Sequence, residues 1–279
     1  MFAPIPRPLT CGVLLAVALS MTCCRPAGAQ SRVVAHRGLL QHAPENTLAN
    51  FASCLQLQIG FELDVQRSRD GHLVCIHDDT VDRTTDGKGR VGDLSLAQLR
   101  KLDAGSWFDT SFRGQRIPTI DEVFAMIRKS RATRTLIAVD LKGDDERIEH
   151  DTVRLARRHG VLGQLLFIGR TINTPVVRRR LRRASGKSHV AALAQTAADL
   201  QTAIDDPDSD WVYVRFVPTP AETARAHRGK KQVFIAGKTV SGLESKNWRL
   251  VSGAGVDGIL TDFALPLAAQ LRRKQAAAK

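Results

Sequence analysis

Apolar residues fall in short runs that recur along the chain at intervals wide enough to hold a helix. The runs occupy residues 33–36, 61–65, 135–141, 165–168, 190–193, 211–214, 232–236 and 258–260. Each has the length of a buried strand. Helical patterns fill the gaps at 47–58, 120–129, 150–159, 175–184, 197–205 and 220–227. Strands that alternate with helices, with no Gly/Ser or Pro linker between halves, predict one parallel α/β unit. Eight such strands predict a closed (β/α)8 barrel. One stretch breaks the rhythm. Residues 67–117 read as a hairpin, with Asp70-Gly71 as its turn and 73–77 as its return strand, followed by a Gly- and Asp-rich excursion. An insertion at this point, between the second strand and its helix, would cap the C-terminal face of the barrel.

The N-terminus reads differently from the rest. Arg7 gives a positive first segment, residues 11–22 are compactly apolar, and Ala27-Gly28-Ala29 is a small-residue cleavage site before Gln30. The apolar stretch is shorter than the ~20 residues of a spanning helix. The expectation is a cleaved signal peptide over 1–29, export to the periplasm or beyond, and a barrel domain over 30–279. Cys23 and Cys24 raise lipid anchoring, but Ser20-Met21-Thr22 suits it poorly. Cleavage leaves Cys54 and Cys75, one in a helical and one in a strand pattern, where small buried apolar side chains are expected rather than a disulfide.

The whole chain carries a formal charge of +13. Much of the basicity lies in 128–134, 154–158 and 178–183, at helix positions with almost no aromatic interleaving. That pattern predicts a solvated basic face with at most weak attraction to anionic surfaces, and no specific nucleic-acid groove. It sets no oligomeric state.

The chemistry gathers near the start. Glu62 and Asp64 are two apart in a strand and so share a face, while Phe61, Leu63 and Val65 alternate with them. Paired carboxylates facing into a barrel are costly unless a cation binds them. Asp140, near the end of the next strand, supplies a third oxygen, and an all-oxygen set favours Mg²⁺ or Ca²⁺ over zinc. His36 closes the first strand and His77 the return strand, which is an acid–base arrangement around an anionic ester. Arg37 can hold a phosphate in bidentate fashion, and Lys142 can neutralise charge growing in the transition state.

Val34-Ala35-His36-Arg37-Gly38, Pro44-Glu45-Asn46-Thr47, Glu62-Leu63-Asp64-Val65, His77-Asp78, Leu94 with Leu96 and Leu99, Ile117-Pro118-Thr119 and the run from Gly255 to Asp262 resemble the glycerophosphodiester phosphodiesterase family. The resemblance implies a TIM-type barrel with a small inserted subdomain, a divalent metal, and hydrolysis of small glycerophosphodiesters to an alcohol and glycerol 3-phosphate. By position it implies His36 and His77 as the acid–base pair and Glu62 and Asp64 as metal ligands. Arg37 would be a phosphate contact, and Glu45 a carboxylate near the metal or the substrate. In such enzymes the substrate's glycerol hydroxyl attacks phosphorus, one histidine takes its proton and the other protonates the leaving alcohol. Rival readings are a phospholipase-like enzyme of the same fold and a non-catalytic phosphodiester-binding protein.

The chain also departs from the family pattern. Asp140-Leu141-Lys142 stands where the family has Glu-x-Lys, shortening one ligand by a methylene. Ile168-Gly169-Arg170 replaces a Ser-Phe pair, and Ala236-Gly237-Lys238 replaces a Trp-led run. Arg170, Arg215 and Lys238 fall at or just past the C-terminal ends of strands, and they predict a pocket that favours a second anionic group on the substrate.

Overall fold

The computed structural model describes residues 30–143 and 145–277. The leader expected over 1–29 lies outside them. Nine strands form one sheet: β1 (Arg32–Ala35), β2 (Gly60–Arg67), β3 (Leu73–Cys75), β4 (Ile137–Leu141), β5 (Leu165–Ile168), β6 (His189–Ala194), β7 (Trp211–Val214), β8 (Gln232–Ile235) and β9 (Gly258–Thr261). Eight are parallel and close in the order β1-β2-β4-β5-β6-β7-β8-β9, with β9 pairing back to β1 through Val34 and Leu260. This is a (β/α)8 TIM barrel. The ninth, β3, runs antiparallel along the end of β2, with Val65 opposite Cys75.

Alternation along β2 explains why the acidic pair points inward. Phe61, Leu63 and Val65 are wholly buried in the layer between strands and helices, and Phe61 stacks on Phe51 of the helix Leu48–Gln56 at 4.3 Å. The intervening Glu62 and Asp64 must then face the barrel interior. Thr47 caps the Leu48–Gln56 helix by accepting the Asn50 amide, and a reciprocal Thr119–Glu122 capping box starts the helix Ile120–Lys129 that returns the chain to β4.

The segment between β2 and that helix carries a small core of its own. Val74, Ile76, Val81, Val91, Leu99, Ala104 and Ile117 pack together, apart from the main barrel clusters. It is a subdomain standing on the C-terminal end of β2.

The basic run at 178–183 is not wholly the solvated face expected of it. Arg178 is only 7 % exposed, donates to the Ile172 and Asn173 carbonyls and pairs with Asp206. Arg182 donates to the carbonyls of Gly186, Ser188 and Asp208. These arginines fasten the helix Pro175–Ala184 to neighbouring loops, because a guanidinium can satisfy several carbonyls at once. Cys54 and Cys75 are buried and free, and burial pushes the Cys54 thiol up to about 12, where it stays protonated. No helix among the described residues is long and apolar enough to cross a membrane.

Candidate active site

The three predicted ligands converge at the C-terminal mouth. Glu62 and Asp64 leave β2, Asp140 leaves β4, and Asp64 and Asp140 are register partners across the two strands. One oxygen from each lies within 4.8 Å of the others. Glu62 and Asp64 are buried to within 2 % and 1 % exposure. Glu62 accepts the Arg37 backbone N–H at 2.8 Å, and Asp64 accepts from the Asn46 amide at 2.8 Å. Arg37 and Asn46 both hold the left-handed backbone region, at φ of 53° and 54°. For arginine that conformation is a strained one, retained where it aims an N–H at a carboxylate.

Lys142 sits over this cluster, 2.6 Å from Asp140 Oδ2 and 2.9 Å from Asp64 Oδ1. Its contact with Asp64 Oδ1 lacks hydrogen-bond geometry, which leaves that buried oxygen otherwise unpartnered. Burial followed by the neighbouring charges of Asp64 and Asp140 drives the Glu62 carboxyl well above its ordinary value. Burial also raises Asp140, although Lys142 opposes it. For Asp64 burial is outweighed by Lys142 and His77, and its carboxyl is held low. Burial opposes the charge on Lys142 too, yet the two aspartates outweigh it and hold the ammonium charged. Beside Lys142 the Arg37 guanidinium lies 3.7 Å from Asp64 Oδ2, and burial, with three carboxyl groups crowded around these cations, is what drives Glu62 and Asp140 up. An all-oxygen donor set with an orphaned oxygen fits a hard divalent cation, and Glu62, Asp64 and Asp140 are the residues that would hold it.

Each predicted acid–base histidine is oriented by a carboxylate. His36 Nδ1 lies 2.7 Å from Asp262 Oδ1, and His77 Nδ1 lies 2.7 Å from Asp78 Oδ1. With Nδ1 engaged, Nε2 of each ring is the nitrogen left to exchange a proton with substrate. Asp78 is itself gripped by Arg83, whose hydrogen bonds, followed by those of His77, hold its carboxyl far below the aspartate range. The same guanidinium also takes both oxygens of Glu45, at 2.8 Å each. Glu45 therefore stands apart from the carboxylate cluster and braces Arg37 at 3.1 Å and Arg83 instead.

The mouth encloses a cavity of about 450 Å³. His36, Glu62, Asp140, Arg170, Arg215 and Lys238 are among the residues that line it. Tyr213, the only tyrosine in the chain, also faces it, and its hydroxyl is 2.5 Å from Arg215 Nη1. Trp211 and Phe234, on the neighbouring strands β7 and β8, meet edge to face.

Sequence reasoning did not assign Asp262, Asp78, Asn46, Arg83 or Tyr213. His77-Asp78 adjacency was a local signal for one dyad, and the Trp211/Tyr213/Arg215 alternation was one for the tyrosine. Asp262 ends the Gly255–Asp262 run, but nothing local paired it with His36, 226 residues away.

The fold and its mouth define a class: a TIM barrel with a buried carboxylate centre flanked by two carboxylate-oriented histidines. The glycerophosphoryl diester phosphodiesterase family model matches residues 36–265, and the chain belongs to that family. A glycerophosphodiester phosphodiesterase of Caldanaerobacter subterraneus is 55% identical over 96 residues, covering 34% of this chain and 40% of that protein. One of Bacillus subtilis is 41% identical over 99 residues, covering 32% and 34%. The chain thus matches less than half the length of these curated relatives. Among solved structures, a glycerophosphodiester phosphodiesterase from Agrobacterium tumefaciens superposes with a TM-score of 0.71 at 27% identity, covering 86% of this chain and 99% of that one.

Proposed function

We propose that this chain is a metal-dependent glycerophosphodiester phosphodiesterase that releases an alcohol and glycerol 3-phosphate. The observation that carries the reading is the pair of histidines near the cluster, each with Nδ1 2.7 Å from a carboxylate. His36 lines the cavity with Glu62 and Asp140, and His77 lies close enough to Asp64 to join Lys142 in holding its carboxyl low against burial. Family membership and the names of its relatives support the substrate class.

A divalent cation held by Glu62, Asp64 and Asp140 would neutralise the charge of the bound phosphate and stabilise what accumulates in the transition state. The rest is done by side chains. One histidine takes the proton of the attacking hydroxyl on the substrate glycerol through Nε2, while the other gives a proton to the departing alcohol oxygen, leaving a cyclic glycerol phosphate. With the two roles reversed, a water then adds to phosphorus and the ring P–O bond breaks to give glycerol 3-phosphate. Asp262 and Asp78 stabilise whichever ring is cationic and fix its tautomer, the role a carboxylate plays behind histidine generally. Arg37, aimed by Glu45, and Lys142 contribute fixed positive charge where the phosphoryl oxygens gain negative charge. The leader-like segment at 1–29 supports action outside the cytoplasm.

Purified protein incubated with glycerophosphocholine should release glycerol phosphate, lose that activity to a chelator, and regain it with Mg²⁺ or Ca²⁺. Hydrolysis that persists through exhaustive chelation would overturn the metal-dependent reading, and absence of hydrolysis under every metal would overturn the activity.

A further inference from the structure

The cations around the mouth form two sets. Arg37, Arg83 and Lys142 are each bonded to carboxylates of the site. Arg170, Arg215 and Lys238 are exposed, and among the described residues none has a carboxylate at ion-pair distance. Arg215 instead reaches the Tyr213 hydroxyl and lies 5.6 Å from the centre of its ring.

Topology places two of the second set, Arg215 and Lys238, across the barrel from the carboxylates. Around the closed ring β7 stands four strands from β2 in either direction, and β8 stands four from β4. Arg215 follows β7 directly, and Lys238 follows β8 after two intervening residues, so these cations face the strands that carry Glu62, Asp64 and Asp140. Arg170, two residues past β5, stands instead beside the carboxylates, since β5 pairs with β4 and Ile168 is the register partner of Asp140, and it closes the mouth on that flank. The cavity between the walls, about 450 Å³, is of the size that holds a whole small-molecule ligand rather than one phosphate group. A phosphodiester held at the carboxylate wall by Arg37, Lys142 and a cation has its charge met there. Its ester substituent then extends toward cations that, among the described residues, have no carboxylate at ion-pair distance.

We propose that this far wall is a subsite for a second anionic group, so that the preferred substrates are glycerophosphodiesters whose alcohol portion itself carries a phosphate or comparable anion. The proposal rests on the phosphodiesterase reading and names the substrate class of that same site. Tyr213 holds the Arg215 guanidinium at the wall, which limits the entropy lost when an anion docks. Gly237 leaves room for it, since a Cβ there would lie 2.9 Å from Arg215 Nε.

Glycerophosphoinositol and glycerophosphoinositol 4-phosphate differ by one phosphate on the leaving alcohol and make a matched pair of probes. At low ionic strength kcat/KM should be about tenfold higher for the phosphorylated probe, and the ratio should shrink as salt is added. In the Arg170→Ala, Lys238→Ala double variant the ratio should fall to near one. Lys238→Glu, a single change at an exposed position, should move it the same way and serves if the double variant does not fold. Equal losses on both probes, or a wild-type ratio of one or less, would overturn the subsite while leaving the phosphodiesterase reading intact. Failure to release glycerol phosphate from either probe would instead overturn that reading, and the subsite with it.

Discussion

The wall of the mouth on β1, β2 and β4 and the loops that follow β5, β7 and β8 are built from similar residue types by opposite rules. On the first, every cation is matched: Arg37 to Glu45, Arg83 to Glu45 and Asp78, Lys142 to Asp64 and Asp140. On the second, three cations stand at loop starts with no acid beside them. A group that must hold a fixed position through a reaction gains from being locked by its neighbours, because reorganising it at the transition state would raise the barrier. A group that recognises a ligand gains from being left without a partner, because the ligand then meets no internal competitor.

The largest expected contrast is in rate. His36→Ala, on the matched wall, should lower kcat/KM for glycerophosphocholine on the order of 10³-fold, the usual contribution of an acid–base group. Release of glycerol phosphate measures it, and a loss below tenfold would place the chemistry elsewhere.

A pair of identical substitutions sharpens the comparison. Gly169 follows β5 beside Asp140 and Gly237 follows β8 across the barrel, and at φ of +102° and +109° alanine brings similar backbone strain to each. A Cβ at 169 would fall 1.9 Å from Asp140 Oδ1, whereas one at 237 would meet only the far end of the flexible Arg215 side chain. Gly169→Ala should weaken metal affinity about tenfold or more by calorimetric titration, and Gly237→Ala should weaken it far less. Equal effects would mean that the two walls are coupled.

The smallest effect is in stability. Arg83→Ala removes the main group that depresses Asp78. A depressed carboxyl stabilises the fold above its unfolded pKa of about 3.9 and loses that contribution as pH falls through its lower folded value. The variant should therefore melt about 2–4 °C below the wild type at neutral pH, with the gap closing as pH falls below 4. A gap that stays constant from pH 7 to pH 2 would show that Arg83 acts through packing alone.

Much of this was legible in the sequence, for reasons that differ by residue. Each of the eight barrel strands is a short apolar run, and the Glu62/Asp64 pair declares its face by alternating with Phe61, Leu63 and Val65. The helix Ser245–Ala254 was not anticipated. Its buried residues Trp248, Val251 and Ala254 make a narrow stripe, and Gly253 interrupts it. The helix Ala264–Ala277 starts over Pro266 and small residues that blur its period. The Arg178–Asp206 pair and the His36–Asp262 dyad join positions that only the closed fold makes neighbours, so local pattern carries no trace of them.

The His36–Asp262 contact has a consequence for when the protein becomes competent. It bridges the seam between the first and last barrel strands, β1 and β9, the pairing that completes the ring. A folding chain with seven strands in place has its carboxylate cluster, His77 and Asp78 already assembled, yet His36 still lacks the group that orients it. Seam closure is a long-range event, and its loop-closure entropy makes it slow. Catalytic competence is therefore a reporter of the final docking step, and refolding followed by activity should lag refolding followed by helix content.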